Sequence, residues 1–278
     1  MPTPPARLLR LAVILACLIA AFPAQSESPR QPPGRQLVGD ARWALVTDEV
    51  FPWHGPALAA GVLVWGHGFS SETEDYRIWR SPAWVKAFSD AGFDIVRFER
   101  DPAYDKDVLV SKQRLRTGLT YLRTLGYARV AVSGQSRGGW NALQMMMFPG
   151  LQDAVIAISP AAFGAGEQAA ADMQNAMTTI DTHIAEPRTR LAFVQFAGDP
   201  FAGDEELRAV MVERSWSTKL GGVLMIDRPP GFRGHGGGNG EKFRDAYGAC
   251  LVRFVMARSL PAPVLHPDRF CAPDAGTE

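Results

Sequence analysis

Short apolar runs alternate along the chain with longer stretches in which apolar residues recur at helical spacing. A first strand or hairpin is predicted at 42–51, and six further runs have the length and composition of buried strands: 59–65, 94–98, 130–132, 154–159, 191–196 and 222–226. Helices are predicted at 82–91, where Trp84, Val85 and Phe88 face inward, at 106–125 and at 241–258. This alternation predicts right-handed βαβ units and a mostly parallel sheet with helices on both faces.

One segment, 129–148, predicts a strand, a sharp turn and a helix with Ser136 at the apex of the turn. The turn reads Gly134-Gln135-Ser136-Arg137-Gly138, the G-x-S-x-G pattern, and Gly139 adds another small residue. A serine on a strained strand-to-helix turn needs small neighbours two residues away on either side, because a Cβ there would meet the crossing backbone. Ser136 is therefore a candidate nucleophile; the alternative is an ordinary strand-to-helix turn that contains a serine.

Polar residues that could serve this serine follow other predicted strands. Ligands of parallel sheets bind outside the carboxyl ends of the strands, so these residues are expected near Ser136. His67 directly follows one strand, and its loop is predicted to present the N–H of Phe69 as an oxyanion donor beside the N–H of Arg137. His235 follows the last strand between glycines and is the candidate base.

A base of this kind needs an acid to orient it. Asp199 ends the strand between the serine and the histidine and is the first choice, Asp204 is the second and Asp227 is a distant third. The chain order is then serine, aspartate, histidine. The other histidines, His54, His183 and His266, are expected on the surface.

The chain resembles the α/β-hydrolase superfamily, nearest its dienelactone hydrolase-like and peptidase-like esterases. The residues that carry the resemblance are the G-x-S-x-G turn, His67-Gly68, Asp199 and His235, with the serine, the aspartate and the histidine in that chain order. The resemblance covers about residues 40–258 and implies the α/β-hydrolase fold. Dienelactone hydrolases proper use cysteine as the nucleophile, whereas this chain has serine at that position. The roles that the resemblance implies are Ser136 as nucleophile, His235 as general base and then acid, and Asp199 as its orienter. We expect an exported serine hydrolase that cleaves a carboxylic ester through an acyl-enzyme intermediate, without a metal or organic cofactor.

Three other functions stay open at this point. An acyltransferase or a serine peptidase would use the same three residues, and a non-catalytic binding protein could keep the fold with a degenerate site. The intact set of serine, acid, histidine and oxyanion glycines favours catalysis.

Charge and composition narrow the class of partner. The 278-residue chain carries 29 basic and 29 acidic residues, with 46% hydrophobic and 21% charged residues, which is ordinary for a globular protein. Without a net positive charge or a basic run, it gives no electrostatic reason to expect a nucleic-acid partner. We expect a small-molecule ester as the substrate, and the sequence leaves the oligomeric state open.

The N-terminal residues predict export. Residues 1–26 combine Arg7, Arg10, an apolar run at 11–21 and small residues at 24–26, as in a signal peptide. A retained anchor is the alternative, and lipid attachment at Cys17 is a weaker one. We expect a disordered leader at 27–39, a hydrolase domain at 40–260 and a tail at 261–278, in the periplasm or outside the cell, without a membrane contact once the signal is removed.

Cysteine usage agrees with export. Removal of the signal leaves Cys250 on the last predicted helix and Cys271 in the tail. In an oxidising compartment we expect them to form a disulfide that ties the tail to that helix. The alternative is a buried free thiol at Cys250 with Cys271 loose in the tail.

Two segments are candidates for substrate contacts. Residues 70–84 follow the predicted oxyanion loop, and their Tyr76 and Trp79 could line a pocket or only cover the sheet. Residues 161–186 lie where this superfamily often inserts a lid, but at this length they could form a single connecting helix.

Overall fold

A computed structural model describes residues 34–71, 73–184 and 187–271. The predicted signal peptide and residues 272–278 lie outside the described residues. In the described part of the chain nine strands form one sheet. They are β1 (Gln36–Asp40), β2 (Trp43–Thr47), β3 (Gly61–Gly66), β4 (Phe93–Arg100), β5 (Val130–Gln135), β6 (Ala154–Ile158), β7 (Arg190–Gln195), β8 (Val223–Asp227) and β9 (Val264–Leu265).

The strand order is β1-β2-β4-β3-β5-β6-β7-β8-β9. β1 and β2 form an antiparallel pair and β2 runs antiparallel to β4, whereas every pairing from β4 through β3 to β9 is parallel. The predicted mostly parallel sheet is confirmed. The carboxyl ends of β3, β5, β7 and β8 consequently lie along one edge, and each is followed by a predicted site residue.

Eight α-helical segments connect or cover the described strands. They are α1 (Val85–Asp90), α2 (Val108–Thr124), α3 (Arg137–Met145), α4 (Glu167–His183), α5 (Glu205–Arg214), α6 (Glu241–Phe243), α7 (Ala249–Met256) and α8 (Pro267–Phe270). The predicted helix at 241–258 is present over 241–256, and it contains a π-helical segment, Arg244–Gly248, between α6 and α7. The segment considered as a lid contains one connecting helix, α4, whose apolar side is buried.

Alternate side chains of the strands point to opposite faces of the sheet and build two cores. Val62 and Val64 of β3 belong to the cluster that includes residues of α2, α3, α4 and α5. Leu63 and Trp65 belong to the cluster that includes residues of α1 and α7. Helices on both faces explain why the parallel strands are apolar runs rather than alternating ones.

Described strands also lie outside the bounds of the predicted domain at 40–260. β1 begins at Gln36, so the last residues of the predicted leader pair with β2. At the other end, β9 lies in the predicted tail and extends the sheet next to β8. The predicted disulfide between Cys250 and Cys271 is present and joins α7 to the residue after α8.

In the described ranges the structure contains no helix that is both long and apolar enough to cross a bilayer.

Candidate active site

Ser136 occupies a strained turn between β5 and α3. Its φ is 53° and its ψ is −122°, a conformation that residues other than glycine rarely adopt. A Cβ on Gly134 would collide with the backbone of Gly138, and a Cβ on Gly138 would collide with the backbone of Gly66. The glycines of the G-x-S-x-G pattern are therefore required by the close approach of β3, β5 and α3.

Backbone hydrogen bonds fix this turn against the end of β6. The Ser136 N–H donates to the carbonyl oxygen of Ile158 over 3.1 Å, and the Ser136 carbonyl oxygen accepts from the N–H groups of Trp140 and Ala161. A strained backbone conformation persists only where the surrounding structure holds it in place, and these hydrogen bonds hold the Ser136 turn.

Asp199 and His235 lie together at the carboxyl edge of the sheet. Nδ1 of His235 is 2.9 Å from Oδ2 and 3.0 Å from Oδ1 of Asp199. The Asp199 carboxylate is buried, the imidazole is half-buried, and the ring of Phe201 packs against it with 4.6 Å between ring centroids. Nδ1 can thus donate to the carboxylate, which leaves Nε2 as the acceptor of a proton.

Backbone contacts bring the loops of these two residues together. The Gly234 N–H donates to the carbonyl oxygen of Ala197, and Ala197 also forms a parallel bridge with Arg233. Beyond His235, a Cβ on Gly237 would lie 2.8 Å from the ring of Phe196, and a Cβ on Gly238 would lie 2.7 Å from the side chain of Ile158. The glycines on the C-terminal side of His235 therefore let its loop lie directly against the end of β7.

Gln135 connects the histidine loop to the serine turn. Its side-chain amide donates to the backbone carbonyl oxygen of His235 over 2.7 Å. In the described part of the chain, Ser136 Oγ makes no hydrogen bond with His235. The loops that carry the two residues are in contact through Gln135.

The two other candidate acids have different partners. Asp204 begins α5 and accepts from the N–H of Leu207. Asp227 pairs with Arg228 and accepts from the side-chain amide of Gln195. Of the three aspartates considered, Asp199 is the one hydrogen-bonded to His235.

The loop that follows β3 passes beside the serine. A Cβ placed on Gly68 would be 3.7 Å from Cβ of Ser136. The next residue, Phe69, is partly exposed, and the guanidinium carbon of Arg137 lies 5.3 Å from the centre of its ring. The backbone N–H groups of Phe69 and Arg137 thus belong to segments that flank Ser136.

His67 is buried at the base of this loop. Burial, reinforced by the positive charge of Arg100, lowers the pKa of His67 well below its ordinary value. Its Nε2 accepts from the backbone N–H of Arg100 over 3.2 Å, and its Nδ1 lies 2.7 Å from the carbonyl oxygen of Gly68. These contacts fit a neutral imidazole that carries its proton on Nδ1.

The remaining predicted residues lie in different surroundings. His54, His183 and His266 are exposed, as expected. Tyr76 lies in a short 3₁₀ helix and its ring contacts that of Trp79, with 6.3 Å between centroids. The N–H of Tyr76 donates to Oγ of Ser70, so this aromatic pair adjoins the loop after β3.

Three buried arginines, which no sequence pattern indicates as structural, donate to backbone carbonyl groups around the site. Arg100 donates to His67 and Gly68, Arg137 to Ala162, and Arg208 to Ala202 and Pro160. Burial lowers the pKa of Arg137 and of Arg208. Arginine is usually exposed, so a burial of this kind gives no signal in the sequence.

Searches with the sequence found no matching family model and no matching curated protein. Solved structures do match. Esterase 2 of Thermogutta terrifontis is 15% identical with a TM-score of 0.55, over 84% of this chain and 95% of that one. Est1E of Butyrivibrio proteoclasticus is 14% identical with a TM-score of 0.54, over 81% of this chain and 99% of that one.

A third likeness, to acylaminoacyl peptidase of Pyrococcus horikoshii, has 13% identity and a TM-score of 0.54, over 81% of this chain and 41% of that one. At such identities the likeness concerns the fold. The sheet order, the turn at Ser136 and these structural matches together identify an α/β-hydrolase fold.

Proposed function

We propose that this protein is an exported serine hydrolase that cleaves a carboxylic ester through an acyl-enzyme intermediate. The observation that carries the proposal is the hydrogen bond between Asp199 and His235 at the sheet edge that also bears the strained Ser136 turn. A strained nucleophile position, an oriented imidazole and a loop with backbone donors are the parts that acyl transfer requires.

In the proposed reaction His235 Nε2 takes the proton of the Ser136 hydroxyl as Oγ attacks the ester carbonyl carbon. Asp199 orients the imidazole and stabilises its positive charge. The oxyanion that forms accepts hydrogen bonds from the N–H groups of Phe69 and Arg137. His235 then gives its proton to the departing alkoxide, and the alcohol leaves.

Deacylation repeats these roles with water in place of the serine hydroxyl. His235 takes a proton from the water as the water oxygen attacks the acyl-enzyme carbonyl. The tetrahedral intermediate collapses, the proton returns to Ser136 Oγ and the carboxylic acid is released. Alcohol or amine acceptors in place of water would give the acyl-transfer reaction on the same residues.

Export is supported by two separate features. The first 26 residues have the composition of a signal peptide, and the Cys250–Cys271 disulfide fits an oxidising compartment. We therefore place the mature protein in the periplasm or outside the cell.

The direct test is covalent labelling with a fluorophosphonate. We expect labelling of the mature protein and none of Ser136→Ala, with at least a hundredfold slower labelling of His235→Ala. His54→Ala, which removes an exposed histidine, is the control and should label at the wild-type rate.

A panel of p-nitrophenyl esters with different acyl lengths, run with and without added alcohols, then separates hydrolysis from transfer. Mainly transesterified product would replace the hydrolase assignment by an acyltransferase. A folded wild-type protein that does not label at all would overturn the catalytic assignment.

A further inference from the structure

A fully buried ion pair lies behind the loop that carries Phe69. Nε of Arg100, the last residue of β4, is 2.7 Å from Oδ1 of Asp105, and both side chains have zero exposure. Moving two charges from water into a protein interior costs several kcal/mol unless the remaining donors and acceptors are satisfied. The partners of this pair therefore show what the buried charges hold in place.

Most of those partners belong to one short segment, 67–70. The Nη2 group of Arg100 donates to the carbonyl oxygens of His67 and Gly68 over 2.6 and 2.8 Å. Oδ2 of Asp105 accepts from the N–H of Ser70 over 2.9 Å. The ion pair thus binds the segment on both sides of Phe69.

The backbone N–H of Phe69 takes no part in this network. Within the described residues its N–H donates to no protein acceptor. In a trans peptide group the C=O and the N–H point in opposite directions. Because the Gly68 carbonyl points at Arg100, the N–H of Phe69 points away from Arg100. Ser136 is close to this peptide, since a Cβ on Gly68 would lie 3.7 Å from Cβ of the serine.

Because the residue before Phe69 is Gly68, the peptide group between them needs hydrogen bonds to hold its orientation. A peptide group that follows glycine can rotate at little steric cost, since no Cβ restricts the glycine backbone. Two donors hold the Gly68 carbonyl oxygen, Nη2 of Arg100 and Nδ1 of His67. Arg100 also donates to the carbonyl oxygen of His67 itself, so its loss would loosen both donors and let the Phe69 N–H turn away from the site. An oxyanion donor is effective only when it is oriented before the charge develops.

We propose that Arg100 and Asp105 are positioning residues, whose buried ion pair orients the Gly68–Phe69 peptide so that the Phe69 N–H faces the oxyanion of the tetrahedral intermediate. The inference rests on the proposed function, because it assigns a role within that reaction. Neither side chain touches the substrate, since both are fully buried behind the loop.

The test replaces both charges at once, with Arg100→Met combined with Asp105→Leu. Replacing a buried ion pair by apolar residues of similar volume is often neutral for stability, whereas removing one partner leaves an uncompensated charge. The double variant avoids a lone buried charge and should still fold, but it should melt below the wild type, because backbone groups of His67, Gly68 and Ser70 lose these partners. We expect its kcat for p-nitrophenyl acetate to fall by about 10- to 1000-fold, as on loss of one oxyanion donor, with KM within threefold.

A trifluoromethyl ketone, which forms a tetrahedral adduct with the serine, gives a second readout. Its affinity should fall by the same factor as kcat/KM, because both report the charged tetrahedral state. Arg100→Lys keeps the positive charge but cannot donate as a fork, so we expect a smaller fall in kcat with KM unchanged.

The matched control is the ion pair of Arg97 and Glu99 on the same strand. Arg97→Met combined with Glu99→Gln also removes a charge pair from β4, and it should keep kcat within threefold of the wild type. An equal loss of kcat in this control would overturn the proposal, because the effect would then belong to the strand rather than to the peptide that Arg100 holds.

A folded double variant with wild-type kcat, or one whose loss lies wholly in KM, would also overturn it. Should the double variant not fold, Arg100→Lys decides in the same way: retention of kcat and of ketone affinity contradicts the proposal. Failure of the proposed function is recognised separately, because the wild-type protein would then not label at Ser136.

Discussion

The side-chain amide of Gln135 donates to the backbone carbonyl oxygen of His235 over 2.7 Å. The residue before the candidate nucleophile thereby fixes the position of the loop that carries the candidate base. One neutral hydrogen bond contributes about 0.5–1.5 kcal/mol, which limits the effect of its loss to roughly tenfold. The contact joins residues that are 100 positions apart in the chain.

We expect Gln135→Leu to lower kcat/KM for p-nitrophenyl acetate by about three- to tenfold, on the basis of one lost hydrogen bond. Gln135→Glu is the matched variant, because a carboxylate of the same length cannot donate to the carbonyl. It should lose at least as much activity. Wild-type kinetics in both variants would show that the histidine loop holds its position without this bond.

Asp199 and Asp204 provide a pair of substitutions with opposite expected readouts. Asp199→Asn removes the charge that orients His235 and should lower kcat by about 100- to 10,000-fold. Asp204→Asn keeps a good N-cap on α5 and should retain kcat, while Asp204→Ala should cost about 1 kcal/mol of unfolding free energy. Kinetics and urea denaturation of the three variants measure both effects. Loss of kcat in Asp204→Asn would contradict the assignment of the acid.

Much of the fold could be predicted because its signals are local. Buried parallel strands are continuous apolar runs, so the sequence indicates their positions and their alternation with helices. The glycines around Ser136 are required by backbone contacts, so the glycine pattern in the sequence is enough to predict the tight turn. β1 and β9 were not predicted because short strands at the ends of the sheet have little apolar content and gain their structure from the neighbouring strand.

The supporting residues of the site could not be predicted, because their environment depends on contacts far apart in the chain. Arg100 and Arg208 have the composition of surface residues, and nothing near them in sequence indicates burial. Asp199 and Asp204 lie in the same region after β7, and three-dimensional contacts distinguish them. Asp199 is buried and hydrogen-bonded to His235, whereas Asp204 is exposed and caps α5. The sequence places a residue at the sheet edge, and side-chain contacts determine its role.

The disulfide is expected to stabilise the C-terminal end of the sheet. It closes a loop with a sequence separation of 21, and β9 lies inside that loop. Cys250→Ala combined with Cys271→Ala should therefore lower the unfolding free energy by about 3 kcal/mol, the value for loops of this size. Urea denaturation of the variant, and of the wild type with and without a reductant, measures the effect.

The reduced wild type should match the double alanine variant within about 1 kcal/mol, with a small difference from the buried Cys250 side chain. Activity at 25 °C should not change in either form, since the cysteines lie outside the candidate site. Equal unfolding free energies for the oxidised and reduced wild type would contradict the expected contribution.

His67 predicts a specific loss of stability in acid. Burial lowers its pKa in the folded protein, while the unfolded chain keeps the ordinary value of about 6.5. Below about pH 6.5 the unfolded state binds a proton at His67 that the folded state does not bind. The unfolding free energy therefore falls as the pH falls. The slope approaches about 1.4 kcal/mol per pH unit for one proton, and it ends at the lowered pKa of the folded state.

His67→Gln cannot titrate in this range and should remove that part of the slope, even if its stability at pH 8 is lower. Urea denaturation between pH 5 and pH 8 gives the two curves, whose difference isolates the contribution of His67. His183→Gln, a substitution of an exposed histidine, is the matched control variant. Protonation of His67 in the folded protein would place an N–H of Nε2 against the backbone N–H of Arg100. Parallel curves for the wild type and His67→Gln would therefore contradict the prediction and would mean that the imidazole moves out of the interior when it is protonated.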